Sequence, residues 1–332
     1  MVLWLAGSVL AAGMADAQTR AGTTLAQFLR IEPSARHAGM GNAGVAIDGG
    51  IASAYFNPGA IGPIADAEVQ FTHSAWFADI NYNYVAGALP VRGLGTLFVS
   101  VTALNSGDID VRTVNEPLGT GERFSINNTA IGLGYGRQIT SRFGAGIQLS
   151  YVNETIWNSS SDLLTLSLGT VYTLTGNGIK LGASLTNLGT QGRFGGEDLI
   201  IQYDGDPGAF GDNGTLPAEQ LTDGFSVPIL FRVGLSFPYR TGGDSRILLA
   251  VDALNPSDNS ESVSAGAEWM LRETFAVRAG YQSFLQTDAA LGLTLGVGVQ
   301  GGISENRFFL DYAWADHEYL NGTHRLTFAM SF

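Results

Sequence analysis

From residue 67 onward the chain alternates apolar and polar positions with a period of two, the repeat of a strand with one wet and one dry face. Residues 291–299 show it most plainly: Leu291, Leu293, Leu295, Val297 and Val299 fall on one side, Gly292, Thr294, Gly296 and Gly298 on the other. Ile179, Leu181, Ala183 and Leu185 likewise oppose Lys180, Gly182, Ser184 and Thr186. The last strand sets Leu326, Phe328, Met330 and Phe332 against Arg325, Thr327, Ala329 and Ser331. The pattern predicts about fourteen strands, near 67–76, 80–89, 94–104, 124–138, 142–154, 161–174, 177–187, 226–238, 245–254, 260–269, 274–282, 290–299, 307–315 and 323–332.

Alternation alone also fits a sandwich, so length and punctuation decide. The predicted strands run to about ten residues, which a tilted strand needs to cross a bilayer; soluble strands average five or six. Trp76, Trp157, Tyr239, Trp269, Trp314 and Phe332 gather near strand ends, where a membrane barrel places its aromatic girdles. The two long connections, 105–123 and 188–225, follow strands three and seven, and so fall at one end. The short ones, at 139–141, 175–178 and 271–273, all fall at the other. These features predict an all-β chain: a transmembrane antiparallel β-barrel with long outer loops and short periplasmic turns, in a bacterial outer membrane.

Composition agrees. Charged residues make up 14% of the chain, against about 25% in a typical soluble domain. There is no cysteine, which excludes disulfides and thiolate metal sites. A net charge of −13 argues against nucleic acid as a partner. The opening apolar run, 2–14, is too short for a spanning helix and ends in Ala15-Asp16-Ala17, a small-x-small cleavage pattern. Residues 1–17 are therefore expected to be a signal peptide, leaving Gln18 as the mature start. No basic residue precedes the run, as expected if the start codon was placed too late.

The inward positions are mostly Gly, Ser, Thr and Ala, and a barrel of this size with such small walls is hollow unless filled. Residues 18–66 are the material available upstream of the barrel at 67–332, and they are expected to fold back into it as a plug. In this segment Asn57-Pro58-Gly59 is the turn expected to close the plug and launch the first strand. Gly39, Gly41 and Gly44 match G-x-G-x-x-G, but no buried strand precedes them, so close packing in the lumen is their expected use. Arg30, Glu32 and Arg36 are candidate ion-pairing residues, with inward groups such as Asp311 or Arg325 as partners. Only Thr24 to Ile31 has any helical periodicity here.

The segment FLRIEPSARHAGMGNAGVAIDGGIASAYFNPGAIG, followed in order by HSAWFADINYNY, LGASLTNLG, VDALNPSDN, AGAEW and VRAGY, resembles the PorV/PorQ family of bacterial outer-membrane proteins. That family lies within the wider group of FadL-like channels, which has an Asn-Pro-Ala-Gly turn where this chain reads Asn57-Pro58-Gly59-Ala60. The resemblance implies a fourteen-stranded barrel with an N-terminal hatch. It also implies a secretion-associated docking or shuttle role in a type IX-like system, with secretion-system proteins or the C-terminal domains of exported cargo as partners. The alternative it carries is a FadL-like channel for hydrophobic small molecules such as long-chain fatty acids. In the docking case Leu199, Ile200, Ile201 and Phe225 form the expected partner-binding outer loop. The small, polar inward positions favour docking over a greasy tunnel. Outer-membrane lipid surrounds the barrel, and Phe332 is the expected C-terminal signal for the barrel-assembly machinery.

No enzyme, cofactor or metal is expected. His37, His73, His317 and His324 are isolated in sequence, without metal-ligand spacing or a singled-out serine. Asp204-Gly205-Asp206 with Asp212-Asn213-Gly214 suggests a calcium loop, but Thr215 stands where a bidentate Glu is required.

Overall fold

A computed structural model describes residues 22–174, 176, 178–206, 208, 215–286, 289–320 and 322–332. The expected signal peptide, residues 18–21 and the Asp212-Asn213-Gly214 half of the calcium motif lie outside the described residues.

Fourteen strands close into an antiparallel barrel. They are β1 (Glu68–Ala75), β2 (Asn81–Val91), β3 (Gly95–Asn105), β4 (Ile126–Thr140), β5 (Phe143–Ile156), β6 (Ser159–Thr173) and β7 (Lys180–Gly189). The ring continues through β8 (Leu230–Arg240), β9 (Ser245–Pro256), β10 (Ser262–Leu271), β11 (Phe275–Phe284), β12 (Leu291–Ile303), β13 (Asn306–His317) and β14 (Thr323–Ser331). Each strand pairs with its sequence neighbours, and β14 closes on β1 with Phe71 opposite Phe328. Such closure leaves no free edge, which a strand crossing lipid cannot tolerate.

The faces sort as the alternation predicts. On β12, Leu293, Leu295, Val297 and Val299 are 45–53% exposed while Thr294 is 0% exposed. On β14, Leu326 and Phe328 point out while Arg325 and Thr327 are buried inside. A continuous apolar exterior of this extent has no place in water; it is a lipid-facing belt. At the loop-bearing end the belt gives way to outward polar pairs, His73 with Asn83, Asn153 with Asp162 and Tyr312 with His324. His324 is thus an interfacial residue. The chain carries the fold of outer-membrane β-barrels.

The predicted eighth strand begins too early. Residues 226–229 leave the wall: Ser226 pairs in parallel with Thr24, Val227 is buried, and Pro228 has no N–H for the ladder. Outer connections carry two short ribbons, Ile109–Asp110 with Arg123–Phe124 and Ile200–Tyr203 with Leu216–Glu219.

Residues 24–66 lie against the inner face of the wall. Their hydrogen bonds reach Glu154 on β5, Gln70 on β1, Thr327 on β14, Glu268 on β10, Thr294 on β12 and Asp252 on β9. A segment that touches strands all round a ring sits within it. The small inward residues are its seat. A side chain on Gly59 would put a Cβ 2.6 Å from the Gly169 carbonyl oxygen, and one on Gly39 would lie 2.9 Å from the Gly296 Cα. Only glycine admits that approach between backbones.

Candidate functional site

The inner segment enters at the loop-bearing end. Leu25 donates its N–H to the Ser226 carbonyl at 2.9 Å, and Ala26, in the left-handed region at φ 57°, donates to Glu154 Oε2 at 2.8 Å. Asp258, 2% exposed, accepts from Thr24 Oγ1 at 3.0 Å and from Gln27 Nε2, and pairs with Arg30 at 3.2 Å. The expected helical stretch is only a 3-10 turn, Gln27–Arg30, preceded by Ala26 in the left-handed region and held to the single carboxylate of Asp258.

Pro33 and Ser34 start a one-turn helix, α1 (Ala35–Ala38), with Ser34 accepting from the His37 N–H. Arg36 on this turn donates two bonds of 2.8 Å to the Glu268 carboxylate. Arg278 donates to the same carboxylate at 2.7 Å and to Asp311 at 2.7 Å. Two guanidiniums and two carboxylates thus form one neutral network that joins the segment to β10, β11 and β13. His37 is 0% exposed and stacks on Phe56 with ring centroids 4.5 Å apart. Burial, with the charge of Arg36 added, pushes its imidazole down to about 3, so it is neutral.

The Gly41-Asn42 turn follows, both residues with positive φ. Gly41 donates to Thr294 Oγ1 at 2.9 Å and Asn42 Nδ2 to Gln282 Oε1 at 2.9 Å. Asp252 then accepts from Gly44 and Val45 N–H at 2.7 and 2.9 Å. Asn57 caps the turn Pro58–Ile61: its amide donates to the Val45 and Thr170 carbonyls, both at 2.8 Å, and its Oδ1 accepts from Gly59. This turn packs on β6 and does not launch β1, which starts at Glu68 after a further bend. Glu32, grouped in sequence with Arg30 and Arg36, has no carboxylate–cation contact within 4.0 Å among the described residues. Neither Asp258 nor Glu268 was singled out in sequence, since each stands more than 200 residues from its partner.

The segment divides the space inside the ring. At the loop-bearing end is a cavity of about 430 Å³. Ile31, Trp76, Phe77, Leu230, Leu254 and Leu291 give it apolar walls. Most of the rest of its lining is polar: Arg30, Glu32, Asn42, Gln282 and His317, with Gln27, Asn259, Gln286, Ser260, Ser262, Ser264 and Ser283; Asn42 Oδ1 and His317 Nδ1 are buried without a hydrogen-bond partner. Size and lining suit a small-molecule site. At the short-turn end a chamber of about 350 Å³ is instead lined by charge, including Arg36, Asp48, Glu68, Arg246 and Asp311. Residues 33–41 lie between the two.

The wall beside the loop-end cavity is irregular. Pairing of β11 with β12 ends at Tyr281–Leu293, so Gln282–Phe284 and Leu291–Gly292 make no ladder to each other. A register shift interrupts β10–β11 between Val263 and Ala265, with Ser283 at φ 59°, and another interrupts β12–β13 between Leu291 and Thr294. Bulges of this kind loosen and re-aim a strand end.

Of the expected partner loop, Ile200 and Ile201 are exposed on the outer ribbon and Leu199 is half-buried. Phe225 does not join them; it turns inward against the cluster containing Leu25 and Phe28, because Gly192 holds its backbone by two hydrogen bonds of 2.9 Å. Phe332 closes the barrel seam through paired backbone bonds with Ala67. Among the described residues no group of three His, Asp or Glu has metal-binding geometry.

The sequence matches no family model and no curated protein. Solved structures do match over nearly the whole chain. The Pseudomonas putida toluene transporter TodX is 13% identical, over 91% of this chain and 98% of that one, with a TM-score of 0.56. The monoaromatic hydrocarbon channel CymD is 13% identical, over 91% and 96%, with a TM-score of 0.56. A Pseudomonas aeruginosa FadL homologue is 10% identical, over 89% and 96%, with a TM-score of 0.50. From the closed ring of fourteen strands and these neighbours together, the chain has the fold of the FadL-type outer-membrane channels.

Proposed function

We propose that the protein is an outer-membrane channel for small hydrophobic molecules, aromatic hydrocarbons or fatty acids, with residues 22–66 as its plug. One observation carries this reading: the cavity at the loop-bearing end, with an apolar wall of Ile31, Trp76, Phe77, Leu230, Leu254 and Leu291 facing a polar one, sits directly against the segment that fills the lumen. The solved neighbours named as hydrocarbon channels share this architecture and favour transport over secretion. The small inward residues, which in sequence favoured docking, support the channel reading once their use is known. Inward glycines such as Gly146, Gly182 and Gly266 lie under the plug backbone, while Ser262 and Ser264 stay on the cavity wall.

A hydrophobic solute would gather in the cavity from the loop side, and passage would require the plug to shift. The loosened wall at β10–β12 borders the same cavity through Gln282, Ser283 and Leu291. The test is uptake of labelled toluene and labelled oleate by cells expressing the protein in a strain that lacks other such channels. Uptake above the empty-vector level, reduced by Leu254→Trp, is expected. Equal uptake with and without the protein for both solutes would overturn the reading.

A further inference from the structure

A second recess lies on the outside of the barrel, on β4 and β5 near the short turns. It has a volume of about 600 Å³ and is walled by Tyr135, Ile139, Ala145 and Ile147, with Arg137 at its edge. Its cause is local. Ala145 stands on the lipid face opposite Arg137 on one side and Thr170 on the other, so a methyl group sits where its neighbours carry larger side chains. The result is an apolar furrow in the lipid belt with a cation at one end.

That cation is not alone. Arg92 and Arg142 occupy the adjoining turns and are exposed, and Arg137 Nη2 donates to the Gly93 carbonyl at 3.4 Å, which ties it to the Arg92 turn. Residues 80–107 and 124–153, which supply this sector of the wall, contain no Asp or Glu. Among the described residues none of these three arginines forms an ion pair. The opposite end of the barrel has the reverse sign: among the described residues, 190–229 carry six carboxylates against one arginine, Arg193. Three unneutralised guanidiniums beside an apolar furrow, at the boundary of the lipid belt, match an amphiphile with an anionic head. Guanidinium binds phosphate oxygens by paired, charge-assisted hydrogen bonds.

We propose that this recess is a binding site for an anionic phospholipid of the leaflet at the short-turn end. One acyl chain lies along Ala145 and Ile147, and the phosphate lies among Arg92, Arg137 and Arg142. The site is independent of the channel reading, since it faces away from the lumen.

The test is native mass spectrometry of the full chain, released from mild detergent in the presence of phosphatidylglycerol or of phosphatidylcholine with the same acyl chains. Expected is retention of one phosphatidylglycerol, favoured at least tenfold over phosphatidylcholine. Arg92→Gln/Arg137→Gln/Arg142→Gln should lower retention to the phosphatidylcholine level, and Ala145→Phe should lower retention of both lipids. Arg240→Gln/Arg272→Gln, on another part of the rim, should leave it unchanged. Equal retention of the two lipids, an unaffected triple variant, or an equal loss in the distal pair would overturn the proposal. If the triple variant does not fold, Arg137→Gln alone and Ala145→Phe carry the same test.

Discussion

Glu268 accepts three charge-assisted bonds, two of 2.8 Å from Arg36 and one of 2.7 Å from Arg278, and its side chain is 2% exposed. Replacing it with glutamine keeps the shape and removes the charge. Two guanidiniums then face each other, with Asp311 the remaining anion of the network. Breaking a buried ion pair costs about 3–5 kcal/mol. Arg36 is 27% exposed, so water recovers part of that for the partner left behind, and about 2–3 kcal/mol of docking energy is a fairer figure. At 1.4 kcal/mol per decade this raises the undocked fraction of the segment about 30- to 150-fold. The chain has no cysteine, so Ala38→Cys introduces a single thiol, at a position 1% exposed and packed with Ala35 and Ala313. Its labelling by a water-soluble maleimide, in detergent at fixed pH, reports undocking. Glu268→Gln should speed labelling by that factor while the barrel keeps its heat-modifiable band. A labelling rate within twofold of the parent would refute the role given to this network.

Further outcomes follow from the same contacts. Gly59→Val places carbon against the Gly169 carbonyl, where backbone has no room to give. It should leave the barrel folded but expose residues 22–66 to protease, seen as a shortened band on a gel. Protonation of His37 opposes docking: the docked imidazole titrates at about 3, an undocked one near 6.5, so the contribution of His37 to docking is greatest above pH 6.5. It should weaken by up to about 1.4 kcal/mol per pH unit as pH falls toward 3. A spin label at Gly50→Cys, where a Cβ meets nothing closer than 3.9 Å, should show a mobile fraction at pH 4.5 that His37→Phe suppresses. Asn42→Ala removes the bond to Gln282 and should raise toluene uptake; unchanged uptake would detach that turn from gating.

Period-two alternation predicted fourteen strands in order, and parity predicted which face meets lipid, because burial in a barrel depends on one residue and its direction alone. Leu295 and Thr294 are assigned correctly from a nine-residue window. The inner segment was legible only as excess glycine and an Asn-Pro-Gly turn. Its contacts are made across the ring, as Arg36 with Glu268 or Asn57 with Thr170, and no local pattern encodes them. Phe225 misled for the same reason: its apolarity was visible, but the bridge to Gly192 that turns it inward was not. The polar, small inward face misled most. In sequence it favoured docking over a greasy tunnel, and much of it is the surface on which another stretch of backbone rests.

If hydrophobic solutes cross this barrel only when the inner segment moves, tethering that segment to the wall must stop their uptake. Ala38 on the inner segment packs against Ala313 on the wall, so Ala38→Cys/Ala313→Cys can tie the segment to β13. Uptake of labelled toluene by cells expressing this variant should be at the empty-vector level after oxidation and return to the parent rate after reduction. Equal uptake in the oxidised and reduced states, with the crosslink verified on a gel, would contradict the account.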